Sequence, residues 1–473
     1  PVTAPDMNEA LRKPKNTAPG TDQIYYAHIR NLPENALIYL AKIYETCITC
    51  SYFPQLWKLG TTTLIPKPRK DHSDPKSYRP ITLLSALGKI FERIINKRLQ
   101  SHLETNQLLP ESQAGFRQGR STQDQLFRLV QDISRGFQTN QTTLATFFDI
   151  EKAFDKLWIE GLLYKMSTTL ALKRGTIGLL YSFLTNRSVQ FKVGNELSAP
   201  LTLQAGTPQG SILSPTLFNI GVADIPQPCK HTRLSQFADD IGTWTTGRDK
   251  STTQPRLQRY NDRIQTWCKQ WKIKLAPTKT QLIEFKRNKL HRSGPAKQRI
   301  NGIEIWGETH AEFLGIILDQ QLNMNKHQQR TLSRMKQRIG ALTRITGTSQ
   351  FPRASEYLGT RILNSMIISL TKYAPTIQVL LKDSQFNEQD RLILKGARKA
   401  LHINPRIAAS YVKTKINLVA SKESTYALAT KYLSHQNRTQ TLKTYITDQH
   451  PKPPTLRQRR CFLTPINRIY PSK

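Results

Sequence analysis

Three carboxylates stand out by their context. Asp149 ends the run Thr146-Phe147-Phe148-Asp149, and Asp239 and Asp240 close Phe237-Ala238-Asp239-Asp240, 90 positions further on. The first run reads as a strand that delivers one acid at its end. The second reads as a hairpin with two acids at its tip. Acids carried by neighbouring strands can hold two Mg²⁺ ions, whose hard character suits oxygen ligands. Such a pair serves both the attacking and the leaving oxygen of an in-line phosphoryl or nucleotidyl transfer. The backbone carbonyl of Ile150 would add a ligand. Taken alone, Asp-Asp is equally an ordinary solvated turn; its company along the chain favours chemistry.

That company begins with Gly206-Thr207-Pro208-Gln209-Gly210-Ser211, a loop leading into a helix, whose glycines let backbone approach a base pair or sugar closely. Lys67, Arg79, Arg117 and Arg120 lie in loop or turn contexts before the first acid and suit triphosphate or template-phosphate contacts, although each by itself also reads as a solvated charge. Lys279 is a candidate proton donor to a departing pyrophosphate. Asp155 reads as a contact or cap at a helix N-terminus. Phe154, five residues after Asp149, could pack under a sugar; on physical grounds alone, core packing is the favoured reading.

The elements that must position these groups are mixed. Thr61–Ile65 is a β-rich run stopped by Pro66-Lys67-Pro68, and after Ser77-Tyr78-Arg79-Pro80 a helix pattern starts. Its face is Leu87, Ile90, Phe91, Ile94, Ile95 and Leu99. A strand at Leu144–Asp149 is followed by a helix after the acid. Val189, Phe191 and Val193 alternate into Gly194-Asn195, a hairpin signal, and Leu234–Trp244 is the acidic hairpin. Leu257, Tyr260, Ile264, Trp267, Cys268 and Trp271 mark another helix, with a strand at Gln281–Phe285 next. Asn301-Gly302 turns a hairpin that Phe313–Ile317 would continue. From Lys326 the pattern is mostly helical, ending in a Pro- and Arg-rich tail from His450. Acids on strands backed by helices predict an α+β, palm-like arrangement.

Composition narrows the partners. The 473 residues hold 70 Lys and Arg against 33 Asp and Glu, a net +37, which points to a polyanion and above all to nucleic acid. From Gln321 onward 27 basic residues face 6 acidic ones, so the last third carries over half of the excess. Five cysteines argue against a disulfide scaffold, and Cys47 and Cys50 read as helix packing rather than a zinc site. No apolar run approaches the ~20 residues that span a bilayer, which predicts no membrane partner. The chain opens on Pro1 and reads as a segment of a longer polypeptide.

Together the motifs resemble the reverse transcriptase of non-LTR (LINE-type) retrotransposons, the jockey-like branch in particular. In order they are Ala18-Pro19-Gly20, Leu64-Ile65-Pro66-Lys67, Tyr78-Arg79-Pro80-Ile81, Gln113-Ala114-Gly115-Phe116-Arg117, Phe148-Asp149 through Ala153-Phe154-Asp155, Pro208-Gln209-Gly210-Ser211 through Ser214-Pro215, Phe237-Ala238-Asp239-Asp240, Pro277-Thr278-Lys279-Thr280 and Phe313-Leu314-Gly315.

The resemblance implies a right-hand polymerase fold of fingers, palm and helical thumb with a basic C-terminal extension. The implied division is an N-terminal extension at 1–40, fingers and palm at 41–320, thumb at 321–400 and the extension with its tail at 401–473. It implies RNA-directed DNA synthesis from a 3′-hydroxyl, usually of a nicked chromosomal target, with an RNA template, a DNA primer, dNTPs and two Mg²⁺ ions that Mn²⁺ could replace. A nuclear site of action follows from the same resemblance.

By motif position, Asp149, Asp239 and Asp240 would be the metal triad and Phe154 the gate against ribonucleotides. Gln209 and Gly210 would touch template and nucleotide, and Arg79 and Arg117 would lie near the triphosphate and template. Lys67 would meet template or primer, and Phe313-Leu314-Gly315 would form the primer grip. An endonuclease, an RNase H carboxylate set and a Cys/His knuckle near Cys461 are not found in this sequence. The rivals are a group II intron-type or other cellular reverse transcriptase, a decayed or repurposed copy that only binds nucleic acid, and a basic structural RNA-binding protein.

Overall fold

A computed structural model describes residues 1–12, 17–67, 71–287, 294–346 and 355–434. They form helices and strands in mixed order, an α+β architecture, and the chain passes several times between two units. The strands are β1 (Leu59–Pro66), β2 (Tyr78–Leu83), β3 (Thr142–Phe148), β4 (Arg187–Val193), β5 (Glu196–Leu197), β6 (Leu201–Leu203), β7 (Thr232–Phe237), β8 (Asp240–Gly247), β9 (Gln281–Phe285), β10 (Lys297–Ile300), β11 (Ile303–Glu308), β12 (His310–Phe313) and β13 (Ile316–Asp319).

The first unit comprises Pro1–Phe116, Ile150–Gln227 and Arg263–Ala276. Its sheet runs β2-β1-β4-β5, with β6 also on β4. Strand β1 pairs antiparallel with β2 and parallel with β4. Helix Ala86–Thr105 starts where Ser85 Oγ accepts from the Gly88 N–H, 3.3 Å away. The expected apolar face goes inward: Ile90 and Phe91 are fully buried, and Tyr44 stacks on Phe91 with ring centroids 5.1 Å apart. Each such side chain contributes roughly 1.5–3 kcal/mol of burial.

The second unit comprises Arg117–Asp149, Pro228–Asp262 and Pro277–Lys473. Its main sheet has the order β10-β11-β9-β3-β8-β7, and β12-β13 is a separate hairpin. Strand β3 lies centrally and antiparallel to both β8 and β9. Covered on both faces, it is buried almost throughout, which is why its sequence reads as a near-continuous apolar and Thr run. Helix Thr122–Gln138 backs the sheet through Leu126, Leu129, Val130 and Ile133. Trp244 of β8 is fully buried, and its indole N–H donates to Asp132 at 2.8 Å. A further core forms among helices Asn325–Thr346, Glu356–Met366, Asp383–Ala400 and Ala409–Lys415, around Met335, Ile339, Leu363 and Ile393.

Several local expectations need correction. Tyr78–Leu83 is a strand, paired along β1, although Pro80 cannot donate to a ladder. After Asp149 the chain turns, and a helix begins only at Ile159. Phe313–Ile317 does not continue the Asn301-Gly302 hairpin. It is the turn and flanks of the separate β12–β13 pair, with Phe313 opposite Ile316. The position 40/41 falls inside helix Glu34–Thr49. Cys47 is buried on that helix and Cys50 is exposed at its end. The tail from His450, with Cys461, lies outside the described residues. Among the described residues no helix is long and apolar enough to cross a membrane.

Candidate active site

Register brings the acids together. Phe148 of β3 faces Ile241 of β8, and Phe237 of β7 faces Asp240. In antiparallel strands the residue after Phe148 and the residue before Ile241 leave the pair at one end. Asp149 and Asp240 therefore share that end, with Asp239 in the connection between β7 and β8. Ala238 takes a left-handed φ of +56° to make the connection that tight. Behind it, buried Asn261 accepts from Thr243 Oγ1 at 2.8 Å and donates to Thr146 Oγ1 at 3.1 Å, tying β8 to β3.

Electrostatics record the crowding. Burial, opposed by a backbone hydrogen bond and assisted by the charge of Asp149, holds the Asp239 carboxyl above the usual range. Asp240 is pushed up to about 6 by partial burial of its carboxylate and then by the negative charges of Asp239, Asp149 and Glu312. Part of the Asp240 side chain still meets water. Lys279 Nζ stands 3.1 Å from Asp149 Oδ2, as a counter-ion on the cluster.

The Asp240 shift has a testable sign. A carboxyl raised above its unfolded value takes up a proton in the folded state first, so its contribution weakens stability as pH rises from about 4 through about 6. In buffer without divalent cations, Asp240→Asn should stabilise the protein at pH 7 by about 1 kcal/mol after solvent screening, and by less at pH 5. Thermal melts of both proteins at the two pH values check this. An equal or reversed shift would remove the crowding argument.

Could the cluster hold a cation? Among the described residues no three His, Cys, Asp or Glu side chains converge to cage an ion by themselves. Mg²⁺ needs no such cage: one or two carboxylates suffice, with water and substrate phosphate oxygens filling the rest. Mutually repelling carboxylates with all-oxygen donors fit that ion. Ile150, the other expected ligand, belongs to the first unit, where it bridges to Leu275.

The first unit holds the other expected residues apart from Arg117, Arg120, Lys279 and the 313–315 turn. Thr207 N–H donates to the Phe154 carbonyl at 2.8 Å, and Gln209 Nε2 donates to Asp155 Oδ1 at 2.8 Å. Asp155 thus anchors the Gly-rich loop. It does not cap the next helix, whose N-cap is Trp158. Gly210 has φ +110°, and a Cβ there would lie 2.5 Å from the Thr82 carbonyl oxygen. The Phe154 ring lies between Phe218, 4.8 Å away, and Phe116, 6.2 Å away, and remains half-buried. Arg79 is exposed on β2, and Lys67 is half-buried with its N–H on the Ser77 carbonyl.

In the second unit Arg117 is buried and Arg120 half-buried, not solvated loop charges. Phe313 is also buried, its ring stacked on Phe147 at 4.5 Å, so only the backbone of that turn is available to a ligand there.

One residue escaped the sequence reading. Glu92 is buried on the apolar side of helix Ala86–Thr105 and accepts from Ser211 Oγ at 2.5 Å, Ile212 N–H at 2.6 Å and Leu213 N–H at 3.2 Å. Burial raises its carboxyl and these donors oppose the rise. The available signal was a lone acid directly after Phe91, on a face otherwise apolar.

Comparison with known proteins adds an independent line. A family model described as "Reverse transcriptase (RNA-dependent DNA polymerase)" matches residues 65–318. The chain is 34% identical over 350 residues to a "Probable RNA-directed DNA polymerase from transposon BS" of Drosophila melanogaster, covering 72% of this chain and 38% of that protein. It is 32% identical over 335 residues to the "RNA-directed DNA polymerase from mobile element jockey" of the same species, covering 69% and 36%. The chain thus spans under two-fifths of the length of these relatives. Among solved structures, telomerase from Candida tropicalis is similar at 13% identity and a TM-score of 0.43, over 87% of this chain and 68% of that one, too distant a likeness to carry weight.

Proposed function

The chain belongs to the reverse transcriptase (RNA-dependent DNA polymerase) family, and from that premise we propose that it is the RNA-directed DNA polymerase of a non-LTR retrotransposon. The observation that carries the proposal is the shared sheet end of Asp149 and Asp240, with Asp239 beside it. In this reading it copies element RNA from the 3′-hydroxyl of a DNA primer, at a nicked nuclear target. Residues 41–320 serve as fingers and palm, 321–400 as thumb and 401–473 as a basic extension, with 1–40 leading in.

The three aspartates, with the Ile150 carbonyl, would hold two Mg²⁺ ions, or Mn²⁺ in their place. Bound there, the ions supply charge neutralisation at the attacking and leaving oxygens. The chain's own groups do the rest. Asp149, Asp239 and Asp240 present a preformed negative surface whose repulsion favours cation uptake. Lys279 is a candidate to protonate the leaving pyrophosphate, and its ammonium rests on Asp149 meanwhile. Phe154, braced by Phe218, would close the space for a 2′-hydroxyl, and Gln209 and Gly210 would align template base and nucleotide. Arg79, Arg117 and Lys67 would meet triphosphate and template phosphates. The +37 charge would bind the backbone with affinity that falls steeply with salt.

The test is dNTP incorporation on poly(rA)/oligo(dT) with Mg²⁺, with RNA binding measured at several salt concentrations. Incorporation is expected together with a steep salt slope. Salt-sensitive RNA binding without any incorporation would overturn the polymerase reading and favour a copy that only binds nucleic acid.

A further inference from the structure

The β12–β13 turn is an unusual piece of backbone. Leu314 sits at φ +47° and Gly315 at φ +78°. Two consecutive left-handed residues are what a two-residue hairpin turn requires, but a bulky Leu at the first of them is disfavoured and gains from outside support. Support comes from two side chains far along the sequence. Tyr373 Oη donates to the Leu314 carbonyl at 2.6 Å, and Arg330 donates to the Gly315 carbonyl at 2.5 Å. Arg330 also pairs with Glu312 of β12 at 2.7 Å, so its guanidinium forks between the turn and the strand entering it. Tyr373 lies so close that a Cβ on Gly315 would meet its ring at 3.5 Å.

This clamped turn adjoins the acids. Phe313 stacks on Phe147 of β3, and a Cβ on Gly242 of β8 would stand 3.0 Å from the Phe313 ring. Gly242 lies two residues beyond Asp240. Glu312 is near enough for its charge to act on Asp240. A shift of the turn would therefore be felt on the strands that carry the acids.

We propose that Arg330 and Tyr373 are positioning residues that clamp the Leu314-Gly315 turn and so set where the primer's 3′-terminal backbone lies against the catalytic acids. The inference rests on the polymerase reading above. Both carbonyls of the turn are held by donors from the helical C-terminal region, Arg330 from helix Asn325–Thr346 and Tyr373 from just before Pro375–Gln378. With both carbonyls so engaged, the exposed Gly315, through its N–H and Cα, is the turn's surface for a nucleic-acid strand.

The experiment uses the full chain with Arg330→Met, Tyr373→Phe, and the double variant Arg330→Met with Glu312→Gln. KM for primer–template and for dNTP are measured, along with equilibrium affinity for a recessed-end duplex and for single-stranded RNA. Losing either hydrogen bond to the turn, the charge-assisted one from Arg330 above all, should raise the primer–template KM up to about 10-fold and weaken recessed-end binding about as much, leaving dNTP KM and single-strand affinity unchanged. Glu312→Gln should not rescue Arg330→Met. Rescue would show that Arg330 only balances charge, and unchanged primer parameters in Arg330→Met and Tyr373→Phe would remove the clamp altogether. If the parent incorporates nothing, the polymerase reading falls by itself, while the binding comparison still decides the clamp.

Discussion

Asp239→Ala is expected to lower nucleotide incorporation by at least about 10³-fold, a loss of ~4 kcal/mol of transition-state stabilisation, while RNA affinity stays within about two-fold. The reason is the position of Asp239. It lies in the connection between β7 and β8, beside a sheet end where Asp149 and Asp240 already meet, and its carboxyl is held above the usual range there. Such a carboxylate is costly to keep unless a cation uses it. Removing it should relieve repulsion in the folded protein and remove a ligand at once, so activity and stability should move in opposite directions. RNA binding would draw on the Lys and Arg excess, most of it in the last third of the chain, so one acid fewer should leave both affinity and salt slope nearly unchanged. Single-turnover incorporation and filter binding on the same preparations check both halves. Retention of more than about a tenth of parental activity would sink the metal assignment.

Gly210→Ala should be the next most damaging change, with dNTP kcat/KM falling about 10²-fold or more. At φ +110° the backbone is outside the range of an L side chain, and the new Cβ would stand 2.5 Å from the Thr82 carbonyl oxygen. Thr82 cannot retreat cheaply. It is paired with Thr62 in β1, and its own N–H donates to the Gln209 carbonyl at 3.3 Å. The loop must therefore give way, carrying Gln209 off Asp155. A cost of about 2–4 kcal/mol falls locally, so the melting temperature should drop by only a few degrees while dNTP KM rises. Incorporation at varied dNTP, with a melt of the same protein, separates the two effects. A lowered melting temperature with normal dNTP kinetics would mean that the loop is structural only.

Much of this was legible in the residues. The helix at Ala86–Thr105 was visible because its apolar residues recur at helical spacing. The Asn301-Gly302 hairpin was visible because both residues tolerate the left-handed backbone they adopt, φ +49° and +81°. The β12–β13 turn was not, because a Leu at positive φ carries no turn signal and its supports stand 15 and 59 residues away. Strand β2 was obscured by Pro80, which reads as a break but is accommodated opposite Leu64. Glu92 was hidden for a similar reason: its partners begin at Ser211, 119 residues along the chain.

By itself, then, the sequence determined the chemistry available. Acids at the ends of apolar runs, a glycine loop before a helix and a large positive excess specify oxygen ligands, close backbone approach and a polyanionic partner through residue type alone. Tertiary structure decided which groups act together. The pairing of Phe148 with Ile241 put Asp149 and Asp240 at one sheet end, where burial and the charges of Asp239 and Asp149 raise the Asp240 carboxyl. It also drew Arg330 and Tyr373 onto one turn and Glu92 onto another. These are long-range choices of register and packing, and no local spacing encodes them, because hydrogen bonds and Coulomb forces act through space rather than along the chain.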